Sequence, residues 1–321
     1  MSLPDAHWSL SQSPSLVESK NSLDLMEIMG NLSYDDGNET FPDYDAAPCH
    51  NQYCLFFQHV APPFLAVTCA MAALGAGALL VALTKWPRVW GWPQSRVLVA
   101  QLAVGTGVFA ALLPLVAVGI KQGWQLGAGL CKLTHLLWHW SLFAQGLLVG
   151  SSFCSTAWCR WDPRNQRLAV ALWAGALLLA MPAALASGTV AAPETSCIRR
   201  SVDILSPAYL LHLALCVCLF VLLPVVLLLA TLAVPQLRVG WEPGTGASWL
   251  FFALWMPYGV GLVVDFLLHA RLLQPTCGTF EHFDYMLGLS EGLGVLHCCL
   301  GPTALLAVRL CHRQASISGN C

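Results

Sequence analysis

The sequence predicts an all-α membrane protein, a bundle of seven transmembrane helices with its N-terminus extracellular. Three observations carry that fold class. Of 321 residues, 57% are hydrophobic and only 10% charged, a balance foreign to soluble globular chains. Seven apolar runs are each long enough to cross roughly 30 Å of hydrocarbon as a helix. The basic residues divide unevenly: with the N-terminus outside, Lys85, Arg88, Arg96, Arg160, Arg164, Arg167, Arg238, Arg309 and Arg313 lie in the cytoplasm. Only Lys121, Lys132, Arg199, Arg200 and Arg271 face outward between the spans, in keeping with the positive-inside rule.

Residues 1–59 are read as an outer tail, 60–308 as the bundle and 309–321 as a short cytoplasmic tail. The first 48 residues hold nine acids against the single Lys20, and few large apolar side chains, so they are expected to be disordered. Asn31-Leu-Ser33 and Asn38-Glu-Thr40 are glycosylation sequons, informative only on the lumenal side. Tyr34 precedes Asp35 and Asp36, and Tyr44 lies between Asp43 and Asp45. Acid-flanked tyrosines on the secretory route are candidates for sulfation. The tail is either a solvating segment or an electrostatic lure for a basic ligand. No cleavable signal peptide is expected, because the first apolar run begins only near residue 60.

The spans follow as Val60–Thr84, Val97–Ile120, Leu133–Cys159, Leu168–Val190, Ile204–Val234, Ala247–Ala270 and Met286–Val308. Their ionisable residues sort by depth. His135 and His139 occupy the outer half of the third span, and His212 that of the fifth. Asp265 lies near the outer end of the sixth and Glu291 near that of the seventh, with His297 near its middle. The inner halves contain no acid, base or histidine beyond their borders. A carboxyl group in hydrocarbon costs several kcal/mol unless it faces protein or a wet cavity, so Glu291 is read as functional rather than as a snorkelling boundary residue. Glu291, Gly294, Val295, Cys298 and Pro302 share one helical face, expected to turn into the bundle, and Pro302 should kink the helix toward its inner end. The pattern describes a polar cavity opening outward above an apolar floor.

His135 and His139 stand at metal-pair spacing, but nothing completes a zincin motif, and packed histidines are the simpler reading. No metal or other cofactor is expected. Trp138, Trp140 and Trp255 read as core or cavity wall before ligand contact. The Trp86-Pro87 and Gly91-Trp92-Pro93 stretches read as a rigid interfacial turn. Five of the fourteen cysteines face outward: Cys49, Cys54, Cys131, Cys197 and Cys277. An odd number permits at most two bridges and leaves one thiol over. A Cys131–Cys197 bond would lay the fourth-to-fifth loop across the bundle mouth. A Cys49–Cys277 bond would tie the tail to the seventh span and leave Cys54 spare. Other pairings remain open. An intramembrane enzyme lacks any paired aspartates, HExxH run or Ser/His arrangement, and a transporter or proton channel lacks a polar path through the inner halves. Nothing points to nucleic acid.

The run Ser290-Glu-Gly-Leu-Gly-Val-Leu-His-Cys-Cys-Leu-Gly-Pro302 resembles the seventh helix of chemokine receptors, where a ligand-contacting Glu precedes His-Cys-Cys-Leu-Asn-Pro. Trp124-Gln-Leu-Gly127 before Cys131 is similar to their Trp-x-Phe-Gly turn, with Leu126 for Phe. Trp255-Met-Pro257, Pro224 and Trp173 match marks of the sixth, fifth and fourth helices. Four polar switches depart from the pattern. Ser155-Thr156-Ala157 stands where the family carries Asp-Arg-Tyr, and Thr106 where it carries the second-helix Asp. The first span lacks its Asn, and Gly301-Pro-Thr-Ala-Leu305 replaces Asn-Pro-x-x-Tyr. Asn31 to Tyr34, Phe41 to Tyr44, Ala47 to His50, Leu98 to Gly105 and Leu185 to Gly188 match one atypical member more closely.

The resemblance implies a rhodopsin-like fold and promiscuous binding of CC and CXC chemokines. It implies uptake or transcytosis in place of G-protein activation, a signalling chemokine receptor being the alternative. It also implies the Cys49–Cys277 and Cys131–Cys197 pairing. The expected ligand contacts are Tyr34, Asp35, Asp36, Asp43, Tyr44, Asp45, Asp265 and Glu291, with glycans on Asn31 and Asn38. Expected partners are basic chemokines, membrane lipid and other chemokine receptors or a second copy. The expected location is the plasma membrane, with passage through early and recycling endosomes.

Overall fold

A computed structural model of the chain describes residues 54–85, 93–157, 166–192, 194–198, 206–233, 244–270, 272–273 and 277–318. Their elements are α1 (Cys54–Lys85), α2 (Pro93–Gln122), α3 (Gly127–Ala157), α4 (Gln166–Ala186), β1 (Gly188–Ala192), β2 (Glu194–Ile198), α5 (Pro207–Ala233), α6 (Gly244–His269), α7 (Cys277–Val295) and α8 (His297–Ser318). The last two together form the seventh span, Glu281–Val308. The protein is thus a seven-helix membrane bundle, as the hydropathy predicts. Its apolar residues point outward as well as inward: Leu74, Leu178 and Val170 are each more than 60% exposed, as helices solvated by lipid must be.

Among the described residues, six helical segments are long and apolar enough to cross a membrane. The exception is α3, which spans 31 residues but carries His135, His139, Ser141 and Gln145. Those side chains are tolerable because α3 is enclosed by protein. Every residue from Ser141 to Gly146 is buried. The fourth apolar run extends past its helix. Gly188 to Val190 is as apolar as a span, yet it forms the first strand of an antiparallel hairpin with Thr189 opposite Cys197.

Proline shapes the two helices that matter most for the site. Ser206 caps α5 by accepting a hydrogen bond from the Tyr209 N–H at 3.3 Å, with Pro207 following in the first turn. Farther along, Pro224 has no N–H to offer the carbonyl four residues back. The helix widens ahead of it into a π turn, Cys218–Leu222, closed by the Leu223 N–H on the Cys218 carbonyl. That turn thrusts Phe220 inward to stack on Trp255, centroids 5.5 Å apart.

In the seventh span the break falls at Leu296, six residues ahead of the Pro302 kink expected from sequence. There the Leu296 N–H reaches back only three residues, to the Leu293 carbonyl at 3.2 Å, and the Cys299 N–H likewise bonds the Leu296 carbonyl at 3.1 Å. Pro302 cannot bond the Cys298 carbonyl, which loosens the turn before it. The displacement upstream coincides with Gly294, where the helix lies against the Trp255 ring. A β-carbon built there would stand 2.7 Å from that ring.

Two buried clusters follow. The larger runs through the middle and outer bundle around Phe109, Trp138, Phe143, Phe220 and Trp255. The smaller sits in the inner half and is wholly aliphatic: Leu79, Ala82, Val99, Ala103 and Leu305.

Candidate functional site

The site is built at the end of the bundle where α2 meets α3 and the hairpin lies. Trp124 is buried, and its indole N–H donates to the Gly127 carbonyl at 2.9 Å. The turn around it needs the left-handed backbone of Gly123 (φ 73°) and Gly127 (φ 78°). This fixed turn presents Cys131 to β2, and a disulfide joins Cys131 to Cys197 with α-carbons 5.7 Å apart. The bond anchors the hairpin to α3 at the outer end. Cys49 and the Cys277 side chain lie outside the described residues, as do Asn31, Tyr34, Asp35, Asp36, Asn38, Asp43, Tyr44 and Asp45.

Beneath the hairpin, the outer halves of the helices bring polar side chains inward. Asp265 on α6 is buried to 6% exposure, while Glu291 on α7 is half-buried. The inward face read on the seventh span is present: Gly294, Val295, Cys298 and Pro302 are all buried in line with Glu291. At the mouth, Phe56 and Phe57 of α1 pack edge-on and tilted against Tyr285 of α7, at 5.5 and 5.7 Å. His139 and His212 are almost wholly buried, with rings perpendicular at 4.4 Å. His135, the expected neighbour of His139, stands farther off at 6.4 Å. His139 Nδ1 also bonds the His135 carbonyl at 2.8 Å, the packed-histidine arrangement read from the sequence, while its contact with His212 crosses two helices and leaves no periodic signal in one of them.

The floor of this region is Trp255, fully buried against Phe109, Phe220, Tyr258 and His297. Its indole N–H lies 3.1 Å from His297 Nδ1, and the same Nδ1 is 2.8 Å from the Gly294 carbonyl. One nitrogen cannot accept and donate at once. The indole can only donate, so the imidazole tautomer decides whether Nδ1 accepts from Trp255 or donates to the Gly294 carbonyl. Nε2 has no hydrogen-bond partner among the described residues. His297 lines a cavity of about 40 Å³ just inward of Trp255, large enough to hold water for that nitrogen. Trp255 is core, as the sequence suggested. Trp140 donates to the Trp173 carbonyl at 2.9 Å and is wall.

Sequence reasoning missed the polar pair on the same cavity. Thr106 Oγ1 donates to Gln145 Oε1 at 3.3 Å, and Gln145 Nε2 donates to the Ser141 carbonyl at 3.2 Å. Gly105 makes room for it, since a β-carbon there would stand 2.9 Å from Gln145. Inward of this pair, Leu305 takes the place of the family's tyrosine and joins the aliphatic cluster. Ser155 to Ala157 form the last turn of α3, with side chains outside the described residues.

A bundle of seven membrane helices, tied by a disulfide at the end that carries its buried charge, is a seven-helix receptor. No family model matches the chain, but individual relatives do. It is 35% identical over 309 residues to atypical chemokine receptor 1 of Macaca mulatta, covering 92% of this chain and 88% of the relative. It is 34% identical over 319 residues to that of Homo sapiens (94% and 89%), and 32% identical over 302 residues to that of Mus musculus (88% and 85%). The chain belongs to the atypical chemokine receptor 1 family, that of the Duffy antigen. It is a multi-pass membrane protein, and its relatives are receptors rather than enzymes.

Proposed function

We propose that this chain captures CC and CXC chemokines promiscuously at the plasma membrane. It then internalises or transcytoses them through early and recycling endosomes without activating a G protein. The observation that carries the reading is the contrast at Thr106. Buried Asp265, His139 and His212 lie outward of it, and inward lies the aliphatic cluster of Leu79, Ala82, Val99, Ala103 and Leu305. Chemokines are basic, so the acidic tail from Tyr34 to Asp45 (sulfated, with glycans on Asn31 and Asn38) engages the chemokine first. Each surface contact contributes roughly 1 kcal/mol or less, and the tail acts through their sum and through encounter rate. The positively charged N-terminus of the ligand then approaches Glu291 and Asp265. A Cys49–Cys277 bond holds the tail beside α7, with Cys54 left over. Self-association, or pairing with other chemokine receptors, is compatible with the apolar lipid-facing surface.

The inner half supports the absence of signalling on a simple argument. A ligand shifts a conformational equilibrium only through interactions that differ between two states. The polar groups that would make and break such interactions in signalling receptors, an Asp, an Asn and a Tyr, are replaced here by Thr106, Gly301 and Leu305. The test is a panel of radiolabelled CC and CXC chemokines bound to cells expressing the chain, with G-protein turnover read in parallel. Binding of both classes with internalisation and no turnover is expected. Ligand-driven turnover, or binding confined to one class, would overturn the reading.

A further inference from the structure

We infer that His139, His212 and Cys216 form a binding site for a single zinc-class transition-metal ion that clamps α3 to α5. The two imidazoles and the thiol offer ligand atoms that all lie within 4.8 Å of one another, and all three residues are buried. His212 and Cys216 stand one turn apart on α5, and the Cys216 sulfur is 3.6 Å from His212 Nε2 and 3.8 Å from Nδ1. Ligand atoms around a tetrahedral Zn²⁺ stand about 3.3–3.8 Å apart, given bonds of roughly 2.0–2.1 Å to nitrogen and 2.3 Å to sulfur. The α5 pair therefore meets the spacing already, and His139 offers its nitrogen within 4.8 Å of both.

The tautomer of His139 is set as well. Its Nδ1 lies 2.8 Å from the His135 carbonyl, so Nδ1 carries the proton and donates. Nε2 is then the nitrogen through which His139 would ligate. A ligating histidine is characteristically oriented by such a bond from its other nitrogen. A thiol with two imidazoles selects zinc or cuprous copper over the hard cations. On binding, the Cys216 proton leaves to solvent and the thiolate ligates. Three protein ligands leave the fourth position to water. The neighbouring grouping of Cys131, His135 and Cys197 is not a rival, because its two sulfurs are consumed in the disulfide.

The test uses the full chain in lipid nanodiscs, purified without a polyhistidine tag, and Co²⁺ as a spectroscopic stand-in. Expected is one Co²⁺ per chain with a thiolate-to-cobalt charge-transfer band, displaced by Zn²⁺. Cys216→Ala should abolish the band. His139→Asn should weaken metal retention by more than the roughly 10–100-fold typical for loss of an orienting partner. His135→Asn should retain both metal and band, since only its backbone carbonyl takes part. Zn²⁺ should raise the thermal unfolding midpoint of the parent and not of Cys216→Ala, with circular dichroism confirming that each variant is folded. Absence of the band in the parent overturns the site. So does its persistence in Cys216→Ala, or equal metal retention in the parent and His139→Asn. If Cys216→Ala fails to fold, His139→Asn against the parent decides alone.

Discussion

The outer and inner halves of this bundle use the same hydrophobic alphabet and reach different ends. Outward of Trp255 the helices enclose Asp265, His139 and His212 and are tied through Cys131 to Cys197. Inward, Leu79, Ala82, Val99, Ala103 and Leu305 pack as a purely aliphatic cluster. Buried polar groups cost free energy unless paired, and their concentration at one end is what the proposed chemokine site requires. Trp255, His297, Thr106 and Gln145 form the boundary. The difference teaches that a receptor fold can keep a polar reception end while its cytoplasmic end settles into ordinary packing.

The largest way to break the contrast is at the top. Removing both Cys131 and Cys197 by serine substitution should cost about 2–5 kcal/mol and release the hairpin from α3. Surface expression and chemokine binding should both fall severely. Near-normal levels of each would mean the outer half does not depend on this tie. Next comes Gly294→Leu, which drives a side chain into the Trp255 ring at the boundary. Overpacking of this kind costs about 1–3 kcal/mol, read as a lowered unfolding midpoint in detergent. An unchanged midpoint would show that α7 can move away freely.

Glu291→Gln tests the reception end while conserving shape. If Glu291 meets the ligand's amine, affinity should drop roughly ten-fold, about 1–2 kcal/mol, for several chemokines at once. Association with the parent should also slow as salt rises, because exposed charges are screened beyond about 10 Å at 0.1 M. Unchanged affinity across the panel would remove Glu291 from the contact set, and a salt-independent association rate would remove steering by the tail.

The fold was legible in the sequence because lipid imposes length and apolarity on each helix, and the inward face of the seventh span followed from helical periodicity. The outer position of Asp265 and Glu291 was equally legible from depth alone. What escaped depends on contacts between helices. The ring contact of His139 with His212 crosses from α3 to α5, and the polar mate of Thr106 is Gln145, 39 residues away. The α3 helix was itself read as a span, but what makes its polar residues tolerable is enclosure by neighbours, and enclosure is not written in one helix's own sequence. The position of the seventh-span break escaped too, because Pro302 supplies the weakness while Gly294 and Trp255 decide where it shows.

The smallest effect is the sharpest on whether the halves are coupled. Thr106→Val removes one hydroxyl and conserves the β-branched shape. Gln145 loses the Thr106 donor but keeps its own bond to the Ser141 carbonyl, so the penalty is that of a single neutral hydrogen bond, about 1 kcal/mol. The unfolding midpoint should slip slightly. Chemokine affinity should stay constant, because Thr106 lies inward of Trp255 and the proposed ligand contacts lie outward. The cavity that Thr106, Gln145 and His297 share is the one place where a polar change could pass between the halves. A chemokine affinity that moved as much in Thr106→Val as in Glu291→Gln would mean that it does, and the separation of reception end from inert end would fail at its boundary.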